Sequence, residues 1–285
     1  MKPIKKAVIL AAWYGTGFLP ATKALPKEML TLIDKPIIQY LVEDCVAAGI
    51  EDIMIVTGRG GRAIEEHFDA SFDLQKNLVE KGKYHLLSQV DEVSRLANIA
   101  YVRQREPRGD GDALLKTKSW IGDEPCVVLF GDELIDNNNT SVLQLLKGFE
   151  ASGWNITAGI GDITLDRQGS YGVVEMNTDN IVKIFEKPQN HETESTQAMI
   201  GKFIVTKQVF DILESMASGR DGRITIAEAL NVALMNNVSI AACRIEGKRF
   251  DVGDKSEYIA ASIHYALKRD DMRPKILACI QPLAH

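Results

Sequence analysis

Cysteine is scarce in this chain, and its spacing excludes several kinds of site. The four cysteines, Cys45, Cys126, Cys243 and Cys279, are far apart, and no two of them form a C-x-x-C pair. Zinc centres and disulfide frameworks need closer or patterned spacing, so we expect reduced, mostly buried thiols in a cytoplasmic protein. The five histidines form no H-E-x-x-H or similar cluster, which argues against a zinc site.

Long apolar runs and an excess of basic residues are also absent. No stretch approaches the roughly 20 apolar residues that span a membrane, so we expect no membrane partner. The net charge of −6 argues against a nucleic-acid partner, which would require a basic face. Lys5 and Lys6 precede a short apolar stretch, residues 7–13, but no small-residue cleavage site follows it, so we expect no signal peptide.

What the chain does contain is an alternation of apolar runs with helix-like periodicity, which predicts a mainly parallel sheet with helices on both faces. In the first half the predicted strands are 7–12, 52–57, 98–103 and 125–130, and the predicted helices are 37–48, 62–68, 72–81, 86–95, 112–118 and 141–152. Shorter β-rich runs follow and predict a mixed extension of the sheet. Its predicted strands are 156–160, 171–176, 181–185, 199–206 and 238–245, and its predicted helices are 210–217, 224–236 and 255–268. We expect one domain over residues 1–270 and a C-terminal tail over 271–285.

The segment 11–30, AAWYGTGFLPATKALPKEML, follows the first predicted strand and forms a glycine-bearing loop. Backbone N–H groups in such a loop can bind an anion such as phosphate. Lys23 and Lys27 follow in a stretch that Pro20 and Pro26 hold stiff. The segment therefore predicts a site for a highly charged phosphate ligand.

This segment resembles the signature G-x-G-T-R-x-L-P-x-T-K-x-x-P-K-E-M of the bacterial UTP–glucose-1-phosphate uridylyltransferases. Two positions differ, because Trp13 replaces the first glycine of the signature and Gly17 replaces its arginine. The resemblance extends over residues 5–268 and implies an α/β, Rossmann-like nucleotidyltransferase fold. That fold is a mainly parallel mixed sheet flanked by helices, with a smaller β-rich part that binds the sugar.

The resemblance implies a reaction in which UTP and glucose 1-phosphate give UDP-glucose and pyrophosphate. In the loop, Ala11, Ala12, Gly15 and Thr16 would bind the nucleotide, and Lys27 would lie at its phosphates. Relatives form dimers or tetramers, so the resemblance also implies a homodimer or homotetramer.

Two acidic residues are candidates for a metal site. Asp132 follows the predicted strand 125–130, and ligands of open parallel sheets bind beyond the carboxyl ends of the strands. A single aspartate at this position is also typical of a turn cap. By resemblance, Asp132 and Asp251 are the two magnesium ligands, and two carboxylates with phosphate oxygens suit Mg²⁺.

Further residues match the sugar-binding and base-binding motifs of the family. Glu186-Lys187-Pro188 matches an E-K-P motif, in which the glutamate contacts sugar hydroxyls and the lysine contacts the sugar phosphate. Gly172 and Gly201 match sugar-contact positions, although Gly201 is equally typical of a β-bulge. The resemblance places Gln104 and Gly109 at the nucleobase.

Asp112 lies within the segment 109–113 that matches the nucleobase region, and we interpret it as the N-cap of the helix that follows. The implied catalytic residues are Lys27, Lys187 and the two metal-binding aspartates.

Three functions remain open from the sequence. The first is a working uridylyltransferase with an altered loop. The second is a relative that binds a sugar nucleotide or a partner subunit with little turnover, since losing one well-placed donor costs about 10²–10³ in rate. The third is a transferase for another nucleoside triphosphate or sugar 1-phosphate.

Overall fold

The structure, a computed structural model, describes residues 3–153, 156–189, 192–217 and 222–283. Met1, Lys2 and the last two residues of the expected tail lie outside the described residues. The strands are β1 (Lys6–Ala11), β2 (Thr31–Leu32), β3 (Lys35–Pro36), β4 (Asp52–Thr57), β5 (Asn98–Arg103), β6 (Cys126–Phe130), β7 (Glu133–Asp136), β8 (Ile156–Asp162), β9 (Gly172–Asn177), β10 (Asn180–Glu186), β11 (Gln197–Val205), β12 (Ile240–Arg244) and β13 (Lys248–Asp251). The α-helices are α1 (Ile37–Ala47), α2 (Arg62–Phe68), α3 (Phe72–Glu80), α4 (Tyr84–Val93), α5 (Asp110–Leu115), α6 (Lys118–Ile121), α7 (Ser141–Ala151), α8 (Lys207–Ala217), α9 (Ile226–Met235), α10 (Lys255–Leu267) and α11 (Arg273–Ile280).

The large sheet has nine strands in the order β5-β4-β1-β6-β11-β8-β12-β10-β9. The first-half strands β1, β4, β5 and β6 are parallel to one another. In the second half, β11 runs antiparallel to both β6 and β8, and β9 runs antiparallel to β10. The sheet is therefore mixed, with its parallel part where the alternating pattern predicts it.

Alternate residues of each strand point to opposite sides of the sheet, and each side packs into its own core cluster. In β1, Val8 and Leu10 belong to one core cluster, whereas Ala7 and Ile9 belong to another. Helices α5, α8 and α9 contribute buried residues to the first cluster, and α1, α7 and α10 contribute to the second. The central strands are thus apolar on both faces, as continuous apolar runs indicate.

Most predicted elements occur with bounds shifted by one or two residues, and 52–57, 62–68 and 98–103 have the predicted bounds. The predicted helix 112–118 is wrong, since two short helices, α5 and α6, replace it. The four short strands β2, β3, β7 and β13 were not predicted. They have only two to four residues each, too few for a period to be visible in the sequence.

The cysteines are free, but only Cys45 and Cys126 are buried, Cys243 is half-buried and Cys279 is exposed. The expectation of mostly buried thiols therefore holds for two of the four. Among the described helices, none is both long and apolar enough to cross a membrane. The division into a domain over 1–270 and a tail over 271–285 stays a prediction.

Candidate active site

A two-stranded ribbon of β7 and β13 brings the two candidate metal ligands together. Its antiparallel register sets Asp251 opposite Glu133, the residue that follows Asp132. The backbone N–H of Val252 donates to the Asp132 carbonyl at 2.9 Å. A Cβ atom on Gly253 would lie 3.0 Å from a carboxylate oxygen of Asp132 and 3.0 Å from one of Asp251. The two oxygens are therefore at most twice that distance apart and face one small space.

Lys27 lies at the same place. It is in the short 3-10 helix Lys27–Met29 and is only 9% exposed, and its ammonium forms an ion pair with Asp132. Burial lowers the pKa of Lys27, but the nearby carboxylates of Asp132 and Glu28 outweigh burial, so its pKa is raised. The lysine is therefore a permanent cation beside the acidic pair.

Asp251 is held by two further side chains. The Tyr171 hydroxyl donates to its Oδ2 at 2.6 Å, and Arg167 donates to the same oxygen at 3.3 Å. Arg167 also donates to Glu257 at 3.1 Å, which anchors it to α10. Burial is the main cause that raises the pKa of Tyr171, so its hydroxyl keeps its proton for the hydrogen bond. Sequence reasoning missed Arg167, because nothing local links it to a residue 84 positions away.

A second buried ion pair lies beneath the site. Arg249 donates to both carboxylate oxygens of Glu133, at 2.9 and 2.8 Å, and its guanidinium lies 4.5 Å from the Tyr171 ring centroid. Burial raises the pKa of Glu133 to about 7, although Arg249 opposes the shift. Both residues belong to the β7–β13 ribbon, so the pair holds together the strand that ends in Asp251 and the strand that begins directly after Asp132. The sequence carries no signal for this contact.

Glu28 is the fully buried neighbour of Lys27. Among the described residues, neither of its carboxyl oxygens has a hydrogen-bond partner. Burial raises the pKa of Glu28 to about 7, and the charge of Lys27 opposes this shift. A Cβ on Gly131 would lie 2.8 Å from the Glu28 Cγ, so a side chain at residue 131 would collide with the buried Glu28.

The acidic pair opens into a cavity of about 260 Å³. The predicted sugar-binding residues line this cavity together with the candidate catalytic ones: Lys27, Asp132, Gly172, Glu186, Lys187, Gly201 and Asp251. Glu186 pairs with Gly172 in the β9–β10 ladder, which sets these two beside each other. Gly201 has a φ of +63° where the register of β11 shifts, so it is a bulge glycine that also lines the cavity.

A second cavity of about 420 Å³ adjoins the first. Ala12, Gln104 and Gly109 line it, as the nucleotide prediction requires. Four residues line both cavities: Trp13, Asp110, Lys187 and Arg223. The two cavities therefore lie side by side and share part of their lining.

Three predicted nucleotide-binding residues do not line either cavity. Ala11 is buried at the end of β1, and Thr16 begins a short 3-10 helix. Gly15 precedes that helix with a φ of +63°, and its carbonyl accepts a hydrogen bond from the Thr22 hydroxyl at 2.6 Å. These residues shape the loop, and their contact with a nucleotide stays a prediction.

The two departures from the signature adopt unstrained positions. Trp13 is not among the residues with a positive φ, and its ring packs edge-on against Phe130 at 5.3 Å between centroids. The Lys27 ammonium lies 4.8 Å from the centroid of the Trp13 ring. A Cβ on Gly17 would lie 3.1 Å from the Gly253 carbonyl oxygen, a tight contact. The tryptophan thus packs on the core and forms the wall shared by both cavities.

Asp112 does not cap a helix. Helix α5 begins at Asp110, with Gly109 as its N-cap, so the interpretation of Asp112 as an N-cap is wrong. Asp110 uses its carboxylate to accept from the backbone N–H of Ile226 at 2.6 Å, and this contact from α9 fixes the start of the helix two residues earlier.

The mixed sheet and the acidic pair, with Asp132 just after β6 and Asp251 at the end of β13, fit a nucleotidyltransferase. The model of the nucleotidyl transferase family matches residues 6–268. The chain is 40% identical to "UTP--glucose-1-phosphate uridylyltransferase 2" of Staphylococcus saprophyticus, over 99% of both chains. It is 39% identical to the UTP–glucose-1-phosphate uridylyltransferase of Bacillus subtilis, over 99% of this chain and 98% of that one. The chain therefore belongs to the UTP–glucose-1-phosphate uridylyltransferases within the nucleotidyl transferase family.

Solved structures agree with this assignment. A UDP-glucose pyrophosphorylase complexed with UDP-glucose superposes with a TM-score of 0.82 at 35% identity and covers 93% of this chain and 100% of its own. A UTP-bound enzyme of the same kind from Acinetobacter baumannii has a TM-score of 0.88 at 29% identity, over 98% and 99% of the two chains. The predicted fold class and family are confirmed.

Proposed function

We propose that this chain transfers a uridylyl group from UTP to glucose 1-phosphate, which releases pyrophosphate and forms UDP-glucose. One observation carries the proposal. Asp132 and Asp251 face one space across Gly253, next to Lys27, in a cavity that Glu186 and Lys187 also line. Membership in the uridylyltransferase family supports the choice of nucleotide and sugar.

The acidic pair fits a divalent cation. Gly253 leaves open the point that both carboxylates face, and a side chain there would fill it. Hard carboxylate oxygens suit Mg²⁺, which retains waters and binds phosphate oxygens as further ligands. We therefore propose Asp132 and Asp251 as the magnesium ligands. When bound, the ion would neutralise charge that develops at the α-phosphate.

The remaining chemistry is positioning and charge neutralisation. Lys27 would bind the nucleotide phosphates, and Lys187 would bind the phosphate of the incoming sugar. Glu186 would hold sugar hydroxyls, and burial, its main influence, raises the pKa of this carboxyl. Tyr171 would orient Asp251 through their hydrogen bond.

The altered loop is compatible with turnover. Trp13 carries no left-handed backbone strain, and its ring holds the Lys27 ammonium above its face. Lys27 and the acidic pair, the groups proposed to neutralise the phosphates, lie together at the first cavity. These contacts support a working transferase over a non-catalytic sugar-nucleotide binder.

Pyrophosphate release from UTP, Mg²⁺ and glucose 1-phosphate tests the proposal directly. We expect release with UTP above that with ATP, GTP or CTP. No release at high enzyme concentration, with UDP-glucose still bound, would contradict the proposal. The double variant Trp13→Gly, Gly17→Arg restores the signature, and a large gain in rate there would show that the altered loop limits turnover.

The proposal extends to the setting of the enzyme. We propose a cytoplasmic homodimer or homotetramer, and light scattering of the purified chain would measure its mass. A monomer with full activity would contradict the oligomer.

A further inference from the structure

The side-chain amide of Gln104 is held in one orientation. Its Nε2 donates to the Gly109 carbonyl at 2.9 Å and to Oδ2 of Asp112 at 2.8 Å. Both acceptors are oxygens that cannot donate, so both amide hydrogens are used. Turning the amide by 180° would bring Oε1 against these two acceptor oxygens, which is unfavourable. The Gly109 carbonyl and the Asp112 carboxylate therefore fix which end of the amide faces them.

Asp112 is an acceptor only. Its side chain is 3% exposed, and its Oδ1 forms an ion pair with Lys116 at 3.0 Å. An ionised carboxylate beside an ammonium offers oxygens and no proton. Asp112 can therefore bond the donor end of the Gln104 amide and not its acceptor end.

The free end of the amide belongs to the second cavity. Gln104 lines this cavity, and among the described residues its Oε1 has no hydrogen-bond partner. Oε1 is also not one of the fully buried polar atoms that lack a partner. The side chain thus offers the cavity one acceptor and no donor.

Gly109 adds a donor beside it. The residue lines the same cavity, and within the described part of the chain its backbone N–H has no partner. A Cβ there would lie 2.2 Å from the Ile224 carbonyl oxygen, so only glycine keeps this backbone close to the cavity. The cavity wall therefore carries an acceptor and a donor as neighbours.

We propose that Asp112 is a positioning residue for the base specificity of the site: together with the Gly109 carbonyl, it fixes Gln104 with only its acceptor toward the base. The inference rests on the proposed function and explains its choice of nucleotide. Uracil presents N3–H beside the O4 acceptor, which matches the Gln104 Oε1 and the Gly109 N–H. Cytosine presents a lone pair at N3 beside an amino group, which opposes both.

The test compares UTP with CTP in pyrophosphate release by the full chain at fixed glucose 1-phosphate and Mg²⁺. A site built to hydrogen-bond a substrate N–H rejects an analogue that lacks it by about 10⁴-fold, and we expect the wild type to prefer UTP strongly. In Asp112→Asn the new amide can either accept from Gln104 Nε2 or donate to Oε1, so this contact no longer holds the Gln104 amide in one orientation. We expect the ratio of kcat/KM for UTP to that for CTP to fall at least about tenfold, with part of the change a gain for CTP. Asp123→Asn, the same change at a side chain that is 80% exposed, should leave the ratio unchanged.

Thermal unfolding of each variant separates specificity from folding. If Asp112→Asn does not fold, Asp112→Leu provides the second variant, and it should also lower the ratio because it removes the acceptor. An unchanged ratio in either folded variant would overturn the inference while leaving the proposed function intact. If the wild type shows no turnover, the proposed function fails, and the affinities of UTP and CTP for wild type and variant then decide the role of Asp112 in the same way.

Discussion

Asp132 and Asp251 face each other across Gly253, and each places a carboxylate oxygen 3.0 Å from the point where a Cβ would lie. The Gly253→Ala variant should therefore fill the space proposed for the cation. Gly253 needs no left-handed backbone, so alanine adds no backbone strain, and its methyl group would press on both carboxylates. We expect pyrophosphate release to fall by at least about 10²-fold, comparable with the loss of a group that stabilises developing charge.

Gly222→Ala is the matched control, because a Cβ at residue 222 would meet no atom within 4 Å. Both variants should unfold at temperatures near that of the wild type. Wild-type activity in Gly253→Ala would show that the space between the aspartates does not take part in the reaction.

The hydrogen bond from Tyr171 to Asp251, at 2.6 Å, gives a second prediction. Groups that orient a metal ligand typically contribute 10–100-fold to metal affinity. Tyr171→Phe should therefore raise the Mg²⁺ concentration at half-maximal rate by about tenfold or more. A magnesium titration of pyrophosphate release measures it.

Tyr84→Phe, at a residue that is 63% exposed, controls for the loss of a hydroxyl. The loss of rate in Tyr171→Phe should diminish at saturating Mg²⁺, because the substitution lowers the affinity for the ion more than it lowers the rate of the bound enzyme. Half-saturation at the wild-type concentration would remove Tyr171 from the metal site.

A third prediction concerns the contact between Trp13 and Lys27. A cation above an aromatic face is stabilised by about 0.5–2 kcal/mol, and the larger value applies to desolvated pairs. Lys27 is nearly buried, so Trp13→Ala should raise the KM for UTP by about tenfold as the ammonium loses its position. Trp13→Phe keeps an aromatic face and should stay closer to the wild type.

Steady-state kinetics with varied UTP at saturating glucose 1-phosphate distinguish these variants. Trp120→Ala is a useful comparison, because Trp120 also lies under a lysine, Lys6, but on another part of the surface. Equal KM values for Trp13→Ala and the wild type would contradict a role for the ring in placing Lys27.

Local sequence patterns predicted the central sheet because its strands are apolar on both faces and its helices have a clear period. The segment 52–57 shows this best. The same patterns could not predict the β7–β13 ribbon, whose two short strands are more than a hundred residues apart. The acidic pair was identified only by family resemblance, since its geometry depends on that ribbon.

The error at Asp112 has a similar cause. An aspartate shortly before a predicted helix is typical of an N-cap, but here a contact from α9 to Asp110 moves the start of the helix. Arg167, Arg249 and Glu28 were missed for the same reason. Their roles arise from tertiary contacts of buried charges, and single-residue preferences carry no information about such contacts.

The buried carboxyl of Glu28 gives a prediction about pH and stability. Burial raises its pKa from an ordinary value of 4.5 to about 7, so the folded chain binds this proton more tightly than the unfolded chain does. Between about pH 4.5 and pH 7, Glu28 ionises readily only in the unfolded chain. The free energy of unfolding should therefore fall as the pH rises through this range and stay lower above it. The shift corresponds to at most about 3 kcal/mol.

Glu28→Gln removes this titration, so the unfolding free energy of the variant should rise relative to the wild type between pH 5 and pH 8. Urea unfolding at the two pH values, without Mg²⁺, measures the difference. The cost of burying the glutamine amide is the same at both pH values, so it does not affect the change with pH. Glu133 titrates in both proteins, so its contribution also drops out of the difference. Glu80→Gln, at an exposed side chain, should show no such trend. If the gap between Glu28→Gln and the wild type is the same at both pH values, Glu28 does not hold its proton in the way that its burial predicts.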